Sequence, residues 1–335
     1  MNDIATEEKK PSCDSVINSV AYRDGKRLQD VTVEDISEVL KEPDTFVWLG
    51  LWQPEDSYMR SVQEEFGLHD LAIEDALTAH QRPKIEQYGE SLFIVVHTAQ
   101  KVKETIEYGE THMFLGKNFL ITIRHGASSS YLQVRNHAEE RPDMLAKGPA
   151  YALYCILDSI VDNYLEILHQ YTEQFDAIEK LMFQNTFNQQ AVQQVYKLRR
   201  DLLSLRNAAV PMEDICNQLS HHYEELVPKG LRAYIRDVQD HANQVIKTTD
   251  DMREMLSNAM HVNLALVSVH QNEVVQRLAG WGAILAIPTV IFSLYGMNFK
   301  NMPELDDWWG YPVTLGVTVA GCVWLYWKLK KSGWL

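Results

Sequence analysis

The pattern of apolar and polar positions changes character twice along the chain. Up to residue 148 it is mixed. "FVWLGLW", "SLFIVVHTA" and "HMFLGKNFLITIRHG" are short runs rich in β-branched and aromatic residues and predict strands, the last of them a hairpin turning at Gly116, Lys117 and Asn118. "SYMRSVQEEFGL" and "HDLAIEDALTA" carry helical spacing, so residues 1–148 predict an α/β domain. From Pro149 the spacing is helical throughout: Leu153, Ile156, Ile160, Tyr164, Leu168, Tyr171, Phe175, Ile178 and Met182 recur every three or four residues and predict one long amphipathic helix. A second helix is expected from about Asn188 to His221, antiparallel to the first and interrupted or kinked around Pro211. After Leu231 no proline precedes Pro288 and no glycine precedes Gly280, which predicts a single helix of roughly 100 Å at about 1.5 Å per residue. Its stretch "DMREMLSNAMHVNLALVSVHQNEVV" has apolar residues on more than one face, so packing against both its own chain and copies of the chain is expected. Residues 149–276 thus form a helical stalk.

The second change comes at residue 277. "LAGWGAILAIPTVIFSLYGMNF", Leu278 to Phe299, carries no charge and is long enough to cross a hydrocarbon core of roughly 30 Å. Residues 277–299 are expected to span a membrane. Tyr311 to Trp327 is a second, shorter span, with Trp324, Tyr326 and Trp327 suited to the interface, and residues 311–335 add a basic tail. The connecting loop, 300–310, holds Lys300 against Glu304, Asp306 and Asp307, whereas Arg277, Lys328, Lys330 and Lys331 flank the opposite ends of the spans. That asymmetry predicts cytoplasmic N- and C-termini. "MNDIATEEKK" is polar and lacks the apolar core of a secretory signal, so the large N-terminal part is expected to stay inside.

Charge and candidate chemistry narrow the class. Forty-six acidic against 31 basic residues give a net charge of −15, which disfavours nucleic acid as a partner and suits cations. Cys13, Cys155, Cys216 and Cys322 are scattered without CxxC spacing and predict buried thiols, not disulfides or zinc clusters. No P-loop, GxGxxG or HExxH occurs, and no nucleophile stands beside a plausible base, so an enzyme is not expected. His221 and His222 fall at a helix end and suit a polar cap. Along the first span, Gly282, Leu278 and Val275 lie within about 40° of Thr289 at about 100° per residue, one face that could line a pore.

Five stretches together carry a resemblance: "YGMNF" at the end of the first span, "MPEL" in the loop, "EDALTAHQRPKIEQY" in the N-terminal domain, "RDVQDH" in the long helix and the tail "KLKKSGWL". They resemble the CorA family of divalent-cation channels. The resemblance implies a funnel-shaped homopentamer in the bacterial inner (plasma) membrane, with an α/β cytoplasmic domain, a long helical stalk continuing into two transmembrane helices, and a pore lined by the first span. It implies Mg²⁺ as substrate, with Co²⁺ and Ni²⁺ also passing, and no organic cofactor. Mg²⁺ dehydrates reluctantly, so neutral oxygens from Gly296, Met297 and Asn298 would suit the hydrated ion better than a ring of carboxylates. Gly296 would also relieve the backbone where the helix ends.

Residue by residue, the resemblance implies pore positions at Asn298, Thr289, Ala286, Leu278, Val275 and Asn272, with Leu278 and Val275 as the hydrophobic constriction. Ala286 departs from the family, where a larger methionine can stand. On a straight helix Asn272 and Asn298 fall off the stripe, and Pro288 is a candidate kink. Glu304 would attract cations at the outer mouth. Glu74, Asp75 and Asp237 would hold regulatory Mg²⁺ between neighbouring subunits. A zinc transporter of a related branch and a non-conducting membrane-anchored scaffold are the alternatives; the stripe holds neither His nor Cys, the ligands zinc prefers.

Overall fold

The computed structural model describes residues 16–102, 105–128, 130–182, 189–297, 302 and 307–335. They fall into two compact units, one reaching to Ile178 and including Gln193–Leu256, the other Glu179–Val192 with Ser257–Leu335.

The first unit is built on a seven-stranded sheet. Its strands are β1 (Val16–Arg23), β2 (Lys26–Asp30), β3 (Thr45–Trp52), β4 (Lys84–Tyr88), β5 (Ser91–Val102), β6 (Thr105–Leu115) and β7 (Phe119–Gly126), in spatial order β2-β1-β3-β7-β6-β5-β4. Only β3 and β7 pair in parallel. These two central strands, "TFVWLGLW" and "FLITIRHG", are buried on both faces over most of their length, which is why they read as apolar runs instead of alternating. The β6–β7 hairpin turns where expected, closed by the Gly116 N–H on the Phe119 carbonyl at 3.0 Å. The expected α/β domain is present, but the sequence reading omitted β1, β2 and β4. β2 is exposed at every position and β4 is a five-residue edge, so neither carries a buried stripe to betray it.

Short helices cover the sheet. α1 (Ile36–Val39), α2 (Asp56–Phe66) and α3 (Asp70–Leu77) place Ile36, Met59, Val62, Ala72, Ile73 and Ala76 against Val47, Leu49, Leu51, Ile121 and Ile123. α2 stops at Gly67, whose φ of 66° and ψ of 39° form the left-handed cap that glycine adopts without Cβ strain. α4 (Leu132–Glu139) and α5 (Pro142–Leu145) follow the sheet.

Three long helices follow: α6 (Pro149–Met182), α7 (Gln189–His221) and α8 (Arg232–Tyr295). Tyr154 meets Tyr234 edge-on and Thr172 contacts Met252, so α6 and α8 run in the same direction. Arg206 pairs with Asp250 and Gln239 with Glu213, so α7 opposes α8 and hence α6. Of the interruption or kink expected at Pro211, the interruption does not occur. α7 is continuous through it, losing only the one backbone donor that proline lacks.

In the second unit the distal part of α8 meets α9 (Gly310–Lys331). The helical stretch Lys229–Tyr295 and α9 are long and apolar enough to cross a membrane, and only 11% and 6% of their most apolar windows are buried. A core hairpin of a soluble protein would bury these faces. α8 passes through Pro288 without a break.

Candidate functional site

Helical phase assigns the faces of the membrane hairpin. Tyr295 meets Thr314, the Ile284 carbonyl accepts from Cys322, and Trp281 approaches Tyr326 at 6.4 Å between ring centroids, so α8 and α9 are antiparallel. A Cβ at Gly280 would touch Leu335 at 3.4 Å, and one at Gly321 would touch Ile287 at 3.8 Å. The α9-facing side of α8 is therefore Gly280, Ile284, Ile287 and Tyr295. At about 100° per residue, Val275, Leu278, Gly282 and Thr289 lie on the opposite side. All four are exposed, Val275 at 63% and Leu278 at 72%, and a Cβ on Gly282 would meet nothing within 4 Å. Ala286 and Asn272 are exposed too, on the flank of this stripe. The Thr289 hydroxyl donates to the Leu285 carbonyl at 2.7 Å, which leaves its lone pairs facing outward.

At the end of α8, the Gly296 N–H donates to the Phe292 carbonyl at 3.0 Å and Met297 to Leu294 at 3.3 Å. Gly296 does not take a left-handed conformation. Its constraint is space: a Cβ there would stand 3.3 Å from the Phe292 carbonyl oxygen. Gly296, Tyr295, Asp307 and Tyr311 border a cavity of about 390 Å³ between the helix ends. Asn298 and Glu304 lie outside the described residues.

The cytoplasmic acids separate into two settings. Asp75, on α3, is bound by the Lys84 ammonium at 2.7 Å, and the same ammonium holds Glu86 at 2.7 Å. Glu74 beside it is exposed. Asp237 lies instead on α8, near a group that sequence reasoning missed. Asp158 and Asp162 of α6 and His241 of α8 bring one ligand atom each within 4.8 Å of one another. Asp158 is held above its usual range by burial, by the Asp162 and Asp237 carboxylates, and despite the opposing effect of His241. His241 Nδ1 is buried and has no partner among the described residues. Converging carboxylates, of which Asp158 resists ionisation, together with an unused imidazole nitrogen fit a divalent cation, which would supply the missing charge. The signal in the sequence is the pair of i, i+4 spacings, Asp158–Asp162 and Asp237–His241, each putting two ligands on one helix face.

A second buried group positions α3. Glu110 on β6 accepts the backbone N–H groups of His80 and Gln81 and lies 3.2 Å from His112 Nε2. Burial opposes its ionisation, but the His112 side chain and the two N–H groups win, and its pKa stands at about 2. His125 on β7 donates from Nε2 to the Ala76 carbonyl at 3.0 Å, and burial, then His112, pushes its pKa down. The segment from the end of α3 to Gln81 is thus tied to the sheet at both ends, which fixes where Glu74 and Asp75 emerge.

Among the described cysteines, Cys155 and Cys216 are buried thiols, each with its pKa pushed up by burial to about 12. Both are inert, as the sequence implied; Cys13 lies outside the described residues. His221 is exposed at the end of α7 and contacts the Asn217 carbonyl.

Comparison with known proteins places this architecture. The model of the family described as CorA-like Mg²⁺ transporter protein matches residues 43–331. The cobalt/magnesium transport protein CorA of Thermotoga maritima is 31% identical over 316 residues, 92% of this chain and 90% of its own length. The solved CorA magnesium transporter of Methanocaldococcus jannaschii superposes with a TM-score of 0.77 at 18% identity, over 95% of this chain and 99% of its own. The ZntB cytoplasmic domain of Vibrio parahaemolyticus shares the fold of the cytoplasmic part, with a TM-score of 0.60 at 12% identity over 75% of this chain and 97% of its own. The family match and the Thermotoga relative decide the matter: this membrane protein belongs to the CorA-like Mg²⁺ transporter family, a family of transporters and not of enzymes.

Proposed function

We propose that the chain forms a homopentameric channel that admits Mg²⁺, and also Co²⁺ and Ni²⁺, through a central pore lined by the distal part of α8. The observation that carries this reading is the stripe Val275, Leu278, Gly282 and Thr289. It lies opposite the α9-packed face and is exposed among the described residues. A lipid-facing side has no need of a hydroxyl and a gap at glycine, whereas a pore needs a narrow apolar ring and a wider polar stretch beyond it. Leu278 and Val275 form the constriction, Thr289, Ala286 and Asn272 line the path, and Gly296, Met297 and Asn298 receive the hydrated ion, concentrated at the mouth by Glu304. Both termini lie in the cytoplasm of a bacterium, below its inner membrane.

Cytoplasmic Mg²⁺ closes the channel in this reading. Asp237 of one subunit faces Glu74 and Asp75 of a neighbour, and a hard cation bridges the carboxylates. The Asp158–Asp162–His241 group offers a second station beside Asp237. Its mixed oxygen and nitrogen donors also accept transition metals, and this favours zinc as the second reading of the cargo.

The test is cation uptake into proteoliposomes carrying a Mg²⁺-sensitive dye. Wild type should exceed protein-free vesicles, and Asn298→Ala should abolish uptake while leaving assembly intact. Absence of wild-type flux would overturn the channel, and a dimeric or tetrameric mass in detergent would overturn the pentamer.

A further inference from the structure

A basic side chain stands among the acids to which cation sensing is assigned. Lys84 opens β4, and its ammonium lies 2.7 Å from Asp75 Oδ2 and 2.7 Å from Glu86 Oε2. An ammonium carries three donors, so it holds both carboxylates at once. The Tyr88 hydroxyl donates to the same Glu86 oxygen at 2.9 Å, and the Lys84 ammonium stands 5.7 Å from the centroid of the Phe93 ring. The frame on either side sets this contact. Glu110 accepts the N–H groups of His80 and Gln81, His125 donates to the Ala76 carbonyl, and Lys84 is paired in register with Val95 of β5. Asp75 and Lys84 therefore leave fixed points of the sheet and meet by construction.

Accessibility decides what the pair does. The side chains of Lys84 and Asp75 are 26% and 29% exposed, so water and dissolved ions reach both. An ion pair so open to solvent is a weak brace, and it exchanges readily with an outside cation. Lysine suits such exchange, being a compact charge on a flexible stem without the planar fork by which arginine grips a carboxylate in two places. An ammonium and a divalent ion at one carboxylate repel each other, so binding of one drives out the other. Glu86 then keeps the displaced ammonium, which it already touches, and the exchange leaves no charge without a partner.

We propose that Lys84 is a tethered competitor for the cation at Asp75, filling its place while Mg²⁺ is scarce and withdrawing onto Glu86 when the ion binds. This role presupposes the Mg²⁺ reading of Asp75 and sets the affinity there. The apparent affinity falls with the fraction of time for which the carboxylate is free of the ammonium. A site weakened in this way empties as cytoplasmic Mg²⁺ falls and refills only when the ion is abundant.

Limited proteolysis of the full-length detergent-solubilised protein over a titration with Mg²⁺ alone tests it. Lys84→Gln should lower the Mg²⁺ concentration for half-protection roughly tenfold, the shift expected where the ammonium leaves Asp75 free about one tenth of the time. Lys84→Arg, which keeps the charge and adds the fork, should raise that concentration. Loss of a mere structural brace would move Lys84→Gln in the opposite direction, toward a higher requirement. In the Asp75→Asn background, where the contested carboxylate is gone, Lys84→Gln should have no further effect. A gain that persists there would assign the effect to the long-range field and overturn the competitor. A half-protection point that Lys84→Gln leaves unchanged or raises would also overturn it, with the sensing reading intact. Absence of Mg²⁺ protection in the wild type would remove the sensing reading itself, and the competitor with it.

Discussion

Apolar side chains meet opposite surroundings in the two compact units. In the first, Leu49, Phe93 and Ile121 are completely buried against the chain's own sheet and helices. In the second, Leu278, Leu285 and Val290 are each more than 60% exposed although they lie in the helical stretch that is apolar enough to cross a membrane. A soluble monomer does not leave contiguous apolar surface of that extent uncovered. The difference teaches that the chain closes its first core by itself, whereas the second is finished by lipid and, in the proposed pentamer, by four further copies.

The largest expected effect breaks or confirms this contrast directly. Leu49→Ala should cost about 2–5 kcal/mol of stability, because both the transfer term and the cavity fall within a closed core. Leu285→Ala removes the same atoms from an exposed position and should cost well under about 1 kcal/mol in detergent. Denaturant unfolding followed by fluorescence compares the two. Equal losses would mean that the membrane hairpin has a packed core of its own.

The next effect is functional. Leu278→Gly or Val275→Gly should raise basal conductance in bilayers, because loss of the side chains widens the apolar ring that gates by dewetting. Glycine also weakens the helix by about 1 kcal/mol, so the mass of the assembly is checked first. Unchanged conductance in an intact assembly would assign these residues to packing between subunits.

The same contrast explains what could be read in advance. Residues with a period announce themselves: α6, α8 and α9 were legible from spacing and from the missing charges, and β3, β5, β6 and β7 from their apolar density. β2 was not, because an edge strand exposed at every position has no buried face to alternate with. At Pro211 the missing donor suggested a break or a kink, and α7 continues without a break. Gly296 stands at the end of α8, where a Cβ would come close to the Phe292 carbonyl. At the acidic sites, single motifs pointed to Asp75 and Asp237. The convergence of Asp158, Asp162 and His241 is a property of two helices running side by side, and no local window contains it.

Metal sensing sharpens the comparison at the cytoplasmic end. Over a Mg²⁺ titration, limited proteolysis of wild type should show progressive protection of the first unit. Asp237→Ala and Asp158→Asn should need roughly tenfold more Mg²⁺ for the same protection, equivalent to about 1.4 kcal/mol. Identical curves for wild type and both variants would remove these acids from sensing. A shift for Asp158→Asn alone would place the ion in the α6–α8 group without an intersubunit partner.

The smallest effect concerns pH and the ties that position α3. The His125 pKa is lowered in the folded protein, so the unfolded chain binds the extra proton more readily. Its contribution to stability is therefore fully present above the ordinary value of 6.5 and is lost as pH falls below it. Glu110 is also lowered, to about 2, so its contribution persists to below pH 4.5 and fails only in stronger acid. The groups facing His125 are His112, Glu110 and His80; the Ala76 carbonyl still accepts from the protonated ring, so what protonation costs is burial of the charge and repulsion from His112. The thermal midpoint of wild type should fall between pH 7 and pH 5, and in His125→Gln, whose amide can still donate to the Ala76 carbonyl but does not titrate, the fall should be smaller. Because other histidines titrate in the same range, the reading is the difference between the two proteins. An identical slope in both would show that the imidazole binds its proton equally well in the folded and the unfolded protein.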